Sequence, residues 1–373
     1  MINFDNSATT YPMPESVAKA VYTAVKKYGG NPGRSGHSLS VSTAQKVFEV
    51  REAAAEFFEA NVENVAFTLN CTHALNMAIK GVLKPGDHCI ISSLEHNSVS
   101  RPVYAMSRRS GVTFSVLEVD DNDEITMERL RHLVKDNTKA VVMTICSNVT
   151  GKILPYREIG DFCRRRGIVY IADAAQAAGL LPISMKDGYD FLCMSGHKGL
   201  YGPTGTGLLI SSGRFPLLTI IEGGTGATSL ELEQTGFLPE QLESGTLNSV
   251  GIIGLGAGIR FVKTRGIKNI HNYEMKLTNM FLSGVRNIKG VTVLRGEGNY
   301  SAVVAFNKDG FNSIDLSQKL SDRGIFVRGG YQCAALTHKF LKTENSGVVR
   351  FSPSVMNKPE EVKRLVWEIE RMK

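Results

Sequence analysis

The sequence has no run of apolar residues approaching the about 18 needed to cross a bilayer. It opens on MINFDNSATTYP, which has neither a basic leader nor an apolar segment, so a signal peptide is not expected. These two absences point to the cytoplasm and away from membranes. Cysteine is sparse. The six cysteines, Cys71, Cys89, Cys146, Cys163, Cys193 and Cys333, form no C-x-x-C pair and no zinc-ligand spacing. No metal site is expected, and disulfides are not expected in a reducing compartment. Internal repeats, low-complexity segments and linker-like runs are also missing. The net charge is +7 and the pI about 9.0. Apart from Arg164–Arg166 the basic residues are scattered, and no aromatic residues interleave with them, so nucleic acid is not an expected partner.

What remains is an ordinary globular composition, 42% hydrophobic and 21% charged. A chain of 373 residues is too long for one small core, so a large domain with a smaller one is the default. Short β-branched runs recur at 64–69, 88–93, 114–119, 140–145, 168–173, 189–195 and 206–211. Amphipathic stretches such as HALNMAIKGVL and YREIGDFCRRRG lie between them. Strand and helix in alternation predict an α/β domain with a mostly parallel seven-stranded sheet, and ligands then sit beyond the carboxyl ends of the strands. After about residue 255 the pattern changes to helices with VTVLR, AVVAFN and GIFVRG, which reads as a smaller α+β domain. The expected division is 14–256 for the large domain, and 1–13 with 257–373 for the small one.

Four motifs fall at the strand ends. LNCTHALNM joins a strand to a helix; Thr72 reads as its N-cap, and free N–H groups there favour a phosphate. ADAAQAAG places Asp173 at the end of an apolar strand, where a carboxylate needs a cationic or hydrogen-bonding partner. SLEHNSV places His96, flat and titratable, at another strand end. SGHKGLYGPTGTG sets a single lysine, Lys198, in a glycine-rich turn 25 residues beyond Asp173. Each motif has an ordinary structural use: a cap, a hydrogen-bonded histidine, a solvated lysine. Together they describe one ligand. Pyridoxal phosphate has a phosphate for Thr72, a ring nitrogen for Asp173, a ring face for His96 and an aldehyde for Lys198. The glycines are expected to let cofactor and backbone approach closely.

DNSATTYP, NPGRSGH, EHNSV, SNVTG, DAAQAAG, SGHKG, ESGTLN, RGGYQCA and VRFS occur in the order seen in class V aminotransferase-fold enzymes. The chain resembles the cysteine desulfurases, also called selenocysteine lyases, over essentially its whole length. The resemblance implies the aspartate aminotransferase-like type I fold of pyridoxal phosphate enzymes, a homodimer with sites at the dimer interface, and release of alanine from L-cysteine or L-selenocysteine. Lys198 matches the lysine that takes the cofactor. Asp173 and Gln176 match ligands of its ring nitrogen and phenolic oxygen, and His96 matches the stacking acid–base group. Thr72, Ser195 and His197 match phosphate ligands, with Thr246 supplied by the partner subunit, and Cys71 and Asn148 are also expected to bind the cofactor. Asn148 and Arg350 match residues that hold the substrate carboxylate, for which a guanidinium fork is suited. Arg34 and His37 match a loop that reaches into the neighbouring site.

Cys333 lies 17 residues before Arg350 in a glycine-rich turn, unlike the other cysteines, which sit in apolar runs. That spacing resembles the SUF-like group and implies a thiol held near the site, with a sulfur-acceptor protein that docks. The chain departs from the pattern at His73, where glutamate is common, at the extra Gly199, and at Tyr331–Gln332, where histidines are frequent. Cys333 separates a desulfurase from the rival readings, a class V aminotransferase acting on a small amino acid or a non-catalytic scaffold.

Overall fold

The computed structural model of the chain describes every residue except Arg34, Thr228 and Lys373. The first part of the chain contains β1 (Ile2–Asn3), α1 (Glu15–Lys27), α2 (Ser38–Phe58), β2 (Val65–Thr68), α3 (Cys71–Val82), β3 (His88–Ser92), α4 (Asn97–Arg109), β4 (Thr113–Leu117), α5 (Asp123–Leu133), β5 (Thr138–Thr144), α6 (Tyr156–Arg166), β6 (Val169–Asp173), β7 (Phe191–Ser195) and β8 (Gly207–Ser211). Then come α7 (Ser249–Arg265), α8 (Ile267–Val285), β9 (Val291–Val293), β10 (Val304–Lys308), α9 (Ser313–Ser321), β11 (Ile325–Phe326), α10 (Ala335–Phe340), β12 (Val349–Phe351) and α11 (Pro359–Arg371).

Seven strands form one sheet in the order β2-β8-β7-β6-β5-β3-β4. All run parallel except β8, which is antiparallel to both neighbours. The strand sequences are apolar throughout because both faces are covered. Ile90, Val141, Tyr170 and Leu192 point into one core with α2, α6 and α7. Their chain neighbours Ile91, Val142, Ile171 and Phe191 point into the opposite core with α3 and α4. Pairing of Thr144 with Asp173, and of Asp173 with Cys193, brings the carboxyl ends of β5, β6 and β7 to one edge.

A second core gathers Phe4, Leu277, Phe281, Phe306, Ile325, Phe351 and Leu365. The rings of Phe281 and Phe351 stack at 4.3 Å. Here β9, β10 and β12 form a small antiparallel sheet, and β1 pairs with β11, so the start of the chain is bound into this second core. Side chains alternate along β12: Val349 and Phe351 enter the core, and Arg350 between them faces the other way. Among the described residues no helix is long and apolar enough to cross a membrane.

The glycines around Lys198 are used differently from the sequence expectation. A Cβ on Gly199 would lie 2.4 Å from the Ala178 carbonyl oxygen, and one on Gly196 would lie 2.1 Å from Thr206 Oγ1. A Cβ on Gly207 would meet the Met194 carbonyl oxygen at 2.7 Å. It is the protein's own atoms that approach closely, and this packs the turn rigidly against its surroundings.

Behind that turn, Tyr201 donates to Glu274 Oε1 of α8 at 3.4 Å. Glu274 is 4% exposed, and burial pushes its carboxyl up to about 8, against the hydrogen bonds from Tyr201 and the Val355 backbone. Below the usual 4.5 both folded and unfolded chains carry this proton; between 4.5 and about 8 only the folded chain does. Stability therefore falls as pH rises across that window, by at most about 1.4 kcal/mol per pH unit for this group. Glu274→Gln should flatten the decline in denaturation midpoint between pH 5.5 and 7.5. An unchanged slope would show that Glu274 is ionised in the native protein.

Candidate active site

A cleft of about 280 Å³ opens at the carboxyl edge of the sheet. The turn after β7 carries Lys198 into it, and the end of β6 carries Asp173. The start of α3 carries Cys71 and Thr72, and the start of α4 carries His96. From the segments around β11 and β12 come Arg328, Gln332, Cys333 and Arg350. Asn148, Gln176, Ser195 and His197 join them, so thirteen side chains that the sequence named or placed within its motifs line the cleft.

Lys198 Nζ makes no hydrogen bond or ion pair among the described residues. Burial lowers its proton affinity, Asp173 and Cys71 raise it, and Arg350 and Arg328 lower it. Asp173 is 3% exposed. Its Oδ1 accepts from the Ala175 N–H at 2.9 Å and from the Cys71 thiol at 3.3 Å. Gln176 Nε2 donates to the Ser7 carbonyl at 3.0 Å, which ties this loop to the start of the chain. Ser195 Oγ accepts from the Cys71 N–H at 3.3 Å, and His197 Nδ1 lies 2.9 Å from Thr9 Oγ1.

The cap of α3 is Asn70, whose side chain accepts from the His73 N–H at 2.9 Å. Thr72 is therefore not the cap. It lies inside the first turn, with its hydroxyl free to bond Ser98 Oγ at 2.7 Å. Asn70 was the overlooked signal: an asparagine three residues before the N–H it accepts. The positive end of a twelve-residue helix, with Thr72 and Ser98 hydroxyls beside it, suits an anion.

His96 caps α4: Nδ1 accepts from the Ser98 N–H at 3.0 Å and bonds Ser98 Oγ at 2.7 Å. An Nδ1 that accepts leaves the neutral ring's proton on Nε2. Burial, and secondarily the cations Lys198, Arg328 and Arg350, lower its pKa to about 4 against the pull of Asp173, so the ring is neutral at pH 7. The buried Glu95 beside it accepts from the Thr144 N–H at 2.9 Å and from the Ser92 hydroxyl, fixing the end of β5.

Arg350 is 2% exposed, and burial lowers its pKa. One Nη donates to the Asn148 carbonyl at 2.9 Å and the other to Asp5 Oδ1 at 2.6 Å, while Nε has no protein partner. Asn148 gives its Nδ2 to the Gln332 carbonyl at 2.8 Å, and its buried Oδ1 is unpartnered. Unpaired buried polar atoms are costly and mark places where a ligand supplies the missing bond.

Cys333 is exposed, whereas Cys71, Cys89, Cys146, Cys163 and Cys193 are buried. Burial pushes all five of those thiols up, Cys146 to about 12, which makes them poor nucleophiles. Gln332 and Cys333 are consecutive non-glycine residues at φ +42° and +55°, a sparsely populated backbone region that collects at functional sites. Arg328 Nη2 lies 4.0 Å from Cys333 Sγ.

Two named residues do not line the cleft. His37 is exposed and caps α2, accepting from the Ser40 N–H at 3.3 Å. Thr246 is exposed and accepts from Asn31 Nδ2 at 3.3 Å. Arg34 lies outside the described residues. Of the departures, His73 accepts from the Leu69 N–H at 3.3 Å and stays off the cleft wall. Arg328, Thr144, Ser98 and Ser7 line the cleft without having been singled out; all but Thr144 lie within motifs that were, and Gln332, noted only as a departure, lines it too.

The class-V aminotransferase family model matches residues 2–365. A probable cysteine desulfurase of Methanothermobacter thermautotrophicus is 32% identical, over 96% of this chain and 92% of that protein. The chain belongs to the class-V aminotransferase family, and within it to the cysteine desulfurases. A second relative, a probable cysteine desulfurase of Pyrococcus abyssi, is 32% identical over all of this chain and 94% of that protein. The apo structure of a cysteine desulfurase from Thermococcus onnurineus superposes with a TM-score of 0.91 at 33% identity, covering 99% of this chain and 94% of the other. The type I architecture expected from the motif order is thus the fold of this cysteine desulfurase family member.

Proposed function

We propose that this protein binds pyridoxal phosphate in the cleft and converts L-cysteine to L-alanine with transfer of the sulfur to Cys333, and that it also accepts L-selenocysteine. The observation that carries the proposal is the juxtaposition in one cleft of an unpaired lysine amine, a buried carboxylate and an exposed cysteine.

The donor set fits the cofactor. Lys198 offers an amine to the aldehyde and Asp173 a carboxylate to the ring nitrogen. His96 offers a ring face, Gln176 a partner for the phenolic oxygen, and Thr72, Ser195, His197 and the Cys71 N–H a cradle for phosphate. When bound, pyridoxal phosphate supplies an electron sink for the pair left when a bond at the substrate α-carbon breaks. Around it, the residues orient and move protons. Arg350 presents its free Nε to the substrate carboxylate. Asn148 offers Nδ2 only after releasing Gln332, since Oδ1 is the unpartnered atom. Lys198, its proton affinity lowered by burial, is suited to carry the proton taken from the α-carbon. Cys333 as thiolate attacks the substrate sulfur. The carbon–sulfur bond breaks, the β-carbon takes a proton to give alanine, and the sulfur stays as a persulfide on Cys333.

We read the working unit as a homodimer. Thr246 and His37 lie away from their own chain's cleft, as residues supplied to a neighbour would. Glu243, three residues before Thr246, is gripped by the buried Arg51 at 2.7 and 2.8 Å, which anchors that loop. Leu230, Leu232 and Phe237 stand exposed beyond it, a surface that suits coverage by a second copy. Two separate cores support a large and a smaller unit, whereas the expected boundary at 256 falls inside α7, whose Ile259 still packs in the large core. The exposed Cys333 turn suits a docking acceptor protein.

Lys198→Ala should fold and bind cofactor weakly. Borohydride treatment should fix cofactor to the wild-type chain and not to the variant, as read by intact mass. Cofactor fixed to the variant would assign the covalent link to another lysine.

A further inference from the structure

We propose that Gln332 is a positioning residue for Cys333: its side-chain amide, braced by His338, is the strut that holds the Cys333 turn with its thiol at the cleft. The proposal rests on Cys333 being the sulfur-accepting thiol.

Gln332 sits between two exposed residues, Tyr331 and Cys333, yet is itself 3% exposed. Its Nε2 donates to two backbone carbonyls, Arg328 at 3.2 Å and Val348 at 3.0 Å. These lie on the two segments that lead into and away from the turn. Facing two carbonyls, the nitrogen end of the amide is fixed, and Oε1 must accept. It meets His338 Nε2 at 3.2 Å, so His338 carries its proton there. His338 Nδ1 is then the acceptor for the Thr343 hydroxyl at 2.7 Å. His338 is 1% exposed, and its burial favours the neutral ring this chain of bonds requires. Every polar atom of the Gln332 amide is thus bonded inside the protein, a saturated network of the kind that fixes one conformation.

The turn needs such a brace. Gln332 and Cys333 both adopt left-handed backbone angles without being glycine, so the intrinsic preference of neither residue favours the conformation. The turn is closed locally by the Ala334 N–H to the Tyr331 carbonyl at 2.9 Å. Asn97 N–H to the Cys333 carbonyl at 2.7 Å, and Asn148 Nδ2 to the Gln332 carbonyl at 2.8 Å, tie it to the rest of the cleft. The Asn148 bond is lost when Asn148 turns toward a substrate, and the strut then carries more of the load. Attack on the substrate sulfur depends on where the thiol sits, and a displacement of about 1 Å can cost about 100-fold in rate.

The test compares wild type, Gln332→Glu and His338→Phe. Glutamate keeps the shape but turns two donors into acceptors facing carbonyls; phenylalanine keeps the packing and removes the brace. Two readouts are taken on the cofactor-loaded protein: deuterium uptake by segment 328–336, and alanine release from L-cysteine and L-selenocysteine in excess dithiothreitol. Selenium does not need Cys333: the weaker carbon–selenium bond breaks with its electron pair left on the β-carbon, which takes a proton to give alanine, and dithiothreitol takes up the selenium and reduces it to selenide. The expected result is faster uptake confined to that segment, a fall of about 10- to 100-fold in kcat with L-cysteine, and a change of less than about threefold with L-selenocysteine. Unchanged uptake in both variants would overturn the proposal, and so would a parallel fall with both substrates, which marks general damage. If wild type itself released no alanine from L-cysteine, the proposed function would fail, while the uptake comparison would still decide whether the strut holds the turn.

Discussion

Cys333→Ala protein is expected to keep its cofactor and to lose turnover of L-cysteine by on the order of 10³-fold or more, as expected when a covalent nucleophile is removed. The size of the effect follows from the lack of a substitute. Each of the other five cysteines is buried, with its thiol pushed toward the protonated form, and none is both exposed and in the cleft. The residues proposed to hold the cofactor lie at β6, β7, α3 and α4, so truncating a side chain on the turn before α10 leaves them in place. Selenocysteine cleavage should persist in part, because the carbon–selenium bond does not depend on a protein nucleophile to the same degree. Steady-state alanine release with each substrate, beside the absorbance of bound cofactor, checks all three statements. Full activity on L-cysteine would remove Cys333 from the mechanism and restore the aminotransferase reading.

Asp173→Asn should lower turnover by about 10² to 10⁴, the range for removing one preorganised electrostatic group, or about 3–5 kcal/mol of transition-state stabilisation. The carboxylate is held rigidly by the Ala175 N–H and the Cys71 thiol, and burial leaves little water to screen it. Asparagine preserves size and removes the charge proposed to keep the cofactor ring nitrogen protonated. Because the effect is on the electron sink, it should fall equally on L-cysteine and L-selenocysteine, unlike loss of Cys333. Near-normal turnover of either substrate would exclude the role.

The sheet was legible because a fully covered parallel sheet writes each strand as a short apolar run; β2 to β8 fall on the seven runs with boundary shifts of a residue or two. α1 and α2 were not marked out. The buried residues of α2 include Ser40, Thr43 and Arg51, so its packed face does not read as an apolar stripe. Lys198, Asp173, Thr72 and His96 could be placed in one cleft because each sits in a local motif at a strand end. Contacts with distant partners were not legible. Arg350 was named only through the order of motifs, and its hold on Asp5, 345 positions away, has no local sign; nor do the carbonyls and the imidazole that set Gln332. Thr72 was mistaken for a cap because two polar residues precede His73 and the sequence does not say which turns its side chain back.

The most direct test of the central claim is the product balance of the purified, cofactor-loaded protein given L-cysteine and dithiothreitol, with no keto acid supplied. The account predicts alanine and sulfide in equal amounts, with the persulfide detected by mass on Cys333 when dithiothreitol is omitted. Appearance of a keto acid without alanine, or of sulfide with no sulfur ever carried by Cys333, would contradict it.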